Sequence, residues 1–74
     1  MPRLRRLSGR DVCGILQRHG FVAVRQRGSH VVMQRREGET TITVPVPDHK
    51  ELKTGTLLAI VRQSQIPREE FEIG

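Results

Sequence analysis

Between Phe21 and Pro47 the chain alternates β-branched and polar residues in three short runs, "FVAVRQ", "SHVVMQRR" and "TTITVPV", broken by "RGS" and "REGE". A period of two sends alternate side chains to opposite faces of a strand, and short glycine-bearing breaks read as tight reversals. A three-stranded antiparallel meander follows. On the second strand Val31 and Met33 point one way, and His30, Val32 and Gln34 the other; on the third, Ile42 and Val44 oppose Thr41 and Thr43. One face is apolar and needs cover. The other is largely polar and carries His30. Pro45 and Pro47 cannot donate to a ladder and predict the end of the third strand, after which "PDHKELKTG" reads as a loop.

The cover comes from the flanking segments. In "LSGRDVCGILQRHGF", Ser8 is an N-cap, Asp11 its partner in a capping-box-like pair, and Gly20 a left-handed stop, which predicts a helix over about residues 9–19. Leu7 and Val12 have hydrophobic-staple spacing. Val12, Ile15 and Leu16 make one apolar face, opposite Arg10, Gln17 and Arg18. After the loop, Thr54 or Thr56 caps a second helix, "GTLLAIVRQSQ", with Leu57, Leu58, Ile60 and Val61 on its apolar side. Pro67 suits the start of a short final turn that folds Phe71 back on the core, and the acidic "EEFE" reads as a solvated end. The expected architecture is α+β: an α-β-β-β-α two-layer sandwich, residues 1–74 forming one domain, with both helices on one face of the sheet.

With two aromatic residues in 74 and 35% hydrophobic residues overall, the core is aliphatic and small, and a partner would add to its stability. No apolar run approaches the roughly 18 residues that cross a bilayer, and the first residues lack the apolar stretch of a secretion signal, so a cytoplasmic protein with no membrane association is expected. The single cysteine, Cys13, agrees with a reducing compartment and reads as a thiol packed beside the apolar stripe rather than a nucleophile. Net charge is +5, unevenly placed: residues 1–36 hold nine arginines against Asp11, and residues 37–74 hold four basic and seven acidic side chains. Eleven of the thirteen cations are arginine, whose planar fork grips phosphate with two parallel hydrogen bonds. The basic half is where a polyanion would bind. Without aromatic side chains interleaved to stack on bases, contact with RNA rests on arginine and backbone.

His30 stands out within "RQRGSHVVMQRR" because imidazole can both take and give a proton near neutral pH. RNA cleavage needs both: a base for the 2′-hydroxyl and an acid for the leaving 5′-oxygen. Arg25 and Arg27 would stabilise the extra charge on phosphorus, and the open backbone at Gly28 lets a phosphate approach. Spacing alone leaves open whether His30 does this or is simply a half-exposed strand residue. His49, in the loop beside Lys50 and Lys53, is a second candidate, and His19 reads as helix-end chemistry. Histidines at 19, 30 and 49 do not have metal-ligand spacing, so no metal and no other cofactor is expected.

"GFVAVRQRGSHVVMQRREG" followed by "TVPVPDHKELKTGTLLAIVRQSQIPREEF" resembles the HicA (YcfA-like) toxin family of toxin–antitoxin systems. The most specific parts are Gly20-Phe21, the Gly28-Ser29-His30 triplet, Val44-Pro45, and Gly55-Thr56-Leu57, all in order. The resemblance implies a double-stranded-RNA-binding-domain-like fold. It also implies an endoribonuclease that cuts mRNA and inhibits translation, with His30 catalytic, and a HicB-type antitoxin that neutralises it. Arg25, Arg27, Gly28, Ser29, Lys50 and Lys53 are the expected RNA contacts and His49 a possible auxiliary group. Many relatives carry a histidine directly after the Val-Pro of the third strand, whereas here Val44-Pro45 leads into Val46-Pro47-Asp48-His49. A homodimer or a hetero-oligomer with the antitoxin is compatible with the sequence. The competing readings are a non-catalytic RNA-binding module and an interaction subunit of the same fold.

Overall fold

The computed structural model describes residues 3–73. In chain order they form α1 (Gly9–Arg18), β1 (Val22–Arg27), β2 (His30–Glu37), β3 (Thr40–Pro47), α2 (Thr54–Ser64) and a 3₁₀ turn, Arg68–Phe71. The strands make one antiparallel sheet in the order β1-β2-β3.

The α1 signals act as read. Ser8 is the N-cap, its Oγ accepting the Asp11 N–H at 3.0 Å while the Asp11 carboxylate accepts the Ser8 N–H at 3.0 Å. Two amides that the first helical turn would leave unpaired are thereby satisfied. The Ser8 N–H on the carboxylate is the largest cause, followed by the Ser8 side chain and the nearby Arg5, of an Asp11 carboxyl held below its ordinary pKa. Leu7 and Val12 are both buried. The helix stops where Gly20 takes φ +90°.

Both helices cover one side of the sheet. Val12, Ile15 and Leu16 from α1 and Leu57 and Ile60 from α2 share a buried cluster with Met33, Val44 and Val46. Leu7, Phe21, Leu52, Ile66 and Phe71 belong to the same cluster.

Three local expectations change. β3 does not end at its prolines but runs through Pro45 to Pro47, paired with β2 throughout. It is an edge strand, and Pro45 and Pro47 are two residues apart, so both turn their donor-less nitrogens to the free side while Val44 and Val46 keep theirs for the ladder. α2 begins one residue earlier than a threonine cap would place it: Lys53 is the N-cap and makes no side-chain capping bond. The acidic end is not simply solvated. Glu70 lies 3.2 Å from His19 Nε2, and Arg68 Nε donates to Glu72 at 2.6 Å. The backbone around it pairs with the N-terminal segment, Arg5 N–H donating to the Phe71 carbonyl and Ile73 N–H to the Arg3 carbonyl.

Candidate functional site on the bare sheet face

The sheet face away from the helices has no covering element among the described residues, and its register determines what it displays. On β2, His30 pairs with Arg27 on one side and Pro47 on the other; Val32 pairs with Arg25 and Pro45. The register slips between Ala23, opposite Met33, and Arg25, opposite Val32, leaving Val24 as an extra residue in β1. This bulge has a chemical consequence. Strict alternation would put Arg25 and Arg27 on the same face as Ala23, toward the core; one extra residue transfers both to the face of His30. The sequence places Arg25 and Arg27 beside His30 without assigning faces on the first strand, and the bulge between Ala23 and Arg25 leaves no compositional mark.

The result is an open depression of about 390 Å³ lined by Arg25, Arg27, His30, Val32, Thr43 and Pro45. That is near the lower end of the roughly 300–1,000 Å³ common for ligand sites. Val32, 6% exposed, provides an apolar floor, and His30 is exposed beside it. His30 sits at a fixed height because the two-residue Gly28-Ser29 turn closes the β1–β2 hairpin directly before it. Gly28 has φ +57° and Ser29 does not share the positive sign, the pattern of a type II′ turn, whose first central position favours glycine. Among the described residues no hydrogen bond is made to the His30 ring, which therefore has no orienting partner.

The other expected residues divide. Gly28 and Ser29 form the turn that presents His30, and the Ser29 carbonyl accepts the Asp48 N–H at 2.6 Å. His49 and Lys50 do not line the His30 depression; they line a second one with Ser8, Arg10 and Asp48. Lys53 is exposed at the start of α2 and lines neither. His19 is the C-cap residue of α1 and faces Glu70. Cys13 is half-buried beside the core, and burial, with the Asp48 carboxylate second, pushes its thiol pKa up, opposite to what a nucleophile requires. No three His, Cys, Asp or Glu side chains gather as a metal-ion site among the described residues. No described helix is long and apolar enough to cross a membrane.

Fold and site together define a small α-β-β-β-α domain that leaves the histidine-bearing face of its three-stranded sheet bare among the described residues, with arginines turned onto that face. The chain belongs to the HicA toxin family: the model for the HicA toxin of bacterial toxin–antitoxin systems matches residues 9–66. That span runs from the first residue of α1 to just beyond α2 and contains the whole His30 face. A search of curated proteins gives no match.

Proposed function

We propose that this toxin-family domain is a metal-independent endoribonuclease that cuts mRNA at the His30 depression and so inhibits translation. The observation that carries the reading is the bulged register, which gathers Arg25 and Arg27 around an exposed imidazole over an apolar floor. In the reaction, a His30 ring nitrogen takes the proton of an RNA 2′-hydroxyl. The oxygen attacks the adjacent phosphorus, the P–O5′ bond breaks, and the departing 5′-oxygen takes a proton from the imidazolium. The products are a 2′,3′-cyclic phosphate and a 5′-hydroxyl. Arg25 and Arg27 donate to the non-bridging oxygens, where charge builds in the transition state.

The unoriented ring favours a second reading, a non-catalytic RNA-binding module, because catalytic histidines are usually held by a third group. The two separate on purified protein mixed with mRNA in EDTA: the nuclease produces discrete fragments, and the binding module produces none while still retarding the RNA.

A HicB-type antitoxin would neutralise the enzyme by covering the bare face. Arrest of growth on expression, relieved by co-expression of the neighbouring reading frame, tests that pairing. Arrest that persists alongside every neighbouring product contradicts it.

A further inference from the structure

The loop between β3 and α2 forms a second depression, of about 300 Å³, lined by Ser8, Arg10, Asp48, His49 and Lys50. Two backbone bonds hold it in place. Asp48 N–H donates to the carbonyl of Ser29, the residue before His30, at 2.6 Å, and Gly9 N–H donates to the His49 carbonyl at 2.9 Å. The first bond ties the depression to the hairpin that carries His30, the second to α1. Pro45 lines the His30 depression and Asp48 this one, so the walls of the two come within three residues of chain, at most about 11 Å between those two Cα atoms.

The cations come from side chains rather than from the helix end: the Gly9 amide is taken by His49 and the Asp11 amide by Ser8. Arg10 is 89% exposed and only loosely held, its Nε 3.8 Å from an Asp48 carboxylate oxygen. An anion entering the depression would replace that carboxylate as the partner of Arg10 and meet Lys50 beside it.

Resting on the RNA-cleaving reading of the His30 face, we propose that the Arg10–His49–Lys50 depression is a second phosphate subsite, which holds the strand at a phosphate beyond the one at His30. The enzyme therefore grips a single strand at two points, and RNA too short to bridge them binds through the first alone.

The probes are 2′-O-methyl RNAs, which lack the attacking hydroxyl, as a dinucleotide and a mixed-sequence 12-mer, titrated by fluorescence anisotropy over a range of salt. Arg10→Gln/Lys50→Gln should weaken the 12-mer about tenfold and lower the magnitude of its log–log salt slope by about 0.7 per lost phosphate contact, leaving dinucleotide binding unchanged. Asp48→Asn should tighten the 12-mer about two- to threefold by freeing Arg10, a gain that misfolding cannot imitate. Unchanged 12-mer affinity and slope in the double variant would overturn the subsite, as would equal losses for both lengths. Cleavage by His30→Ala protein would overturn the catalytic reading and leave these titrations as a test of the subsite alone.

Discussion

At the scale of single residues, Ser8 and Asp11 show how much of a local structure a pair of side chains can specify. Their reciprocal bonds start α1 where the family match also begins. Ser8→Ala should cost about 1 kcal/mol, read from the urea midpoint. Asp11 adds a pH dependence whose sign follows from its lowered pKa. Its stabilising contribution is complete above the ordinary value of 3.8 and is lost as pH falls through the lower folded value. Wild type should therefore be more stable than Asp11→Ala at pH 6, with the gap closing toward pH 3; a gap independent of pH would contradict the capping role. This cap was legible in the sequence because its chemistry is local, an oxygen acceptor at one position and a carboxylate three residues on. Arg35 was not legible. It reads as one more surface cation, yet its guanidinium lies 5.0 Å from the Phe21 ring centroid and donates to the His19 carbonyl at 3.0 Å. Only the pairing of strand with helix end reveals that contact.

At the scale of elements, what alternation and turn residues encode was recovered, and what depends on the approach of distant segments was not. The three strands, their order and the apolar face follow from periodicity. The bulge at Val24, the passage of β3 through two prolines and the joining of the termini depend on neighbours the pattern does not name. Gly9 is a further case. It is the first residue of α1, and a Cβ there would overlap the Pro47 carbonyl oxygen. Pro47 is the cross-strand partner of His30, so this contact braces the site from behind. Gly14, in the same helix, has nothing within 4 Å of where a Cβ would stand. The two glycine-to-alanine changes should thus have opposite signs in urea denaturation. Gly9→Ala should destabilise by about 1–3 kcal/mol through overpacking, and Gly14→Ala should stabilise by about 0.5–1 kcal/mol through helix propensity. Two changes of the same sign would show that the close approach of α1 to Pro47 is wrongly described.

At the scale of the whole molecule, the fold uses one sheet face for stability and leaves the other bare, which the proposed function assigns to RNA. The stable side has little to spare: a chain of 74 residues carries about 4–11 kcal/mol of total stability. Phe71 lies beyond the family match yet is fully buried. Phe71→Ala should remove about 3–5 kcal/mol, a large part of the total, with a matching fall in the thermal midpoint. A midpoint within a degree or two of wild type would mean that the C-terminal turn is not part of the core. The bare side has no such structural duty at His30, which is exposed and absent from the buried cluster. Removing its ring should leave the fold intact. The most direct measurement incubates wild type and His30→Ala, matched by circular dichroism and urea midpoint, with the same mRNA in EDTA and maps the product ends. The histidine mechanism predicts 2′,3′-cyclic phosphate and 5′-hydroxyl ends from wild type and at least a hundredfold slower cleavage by the variant, in line with the roughly 10²–10⁴-fold that a positioned acid–base group contributes. Equal rates from the two proteins, or 3′-hydroxyl and 5′-phosphate ends from wild type, would contradict it.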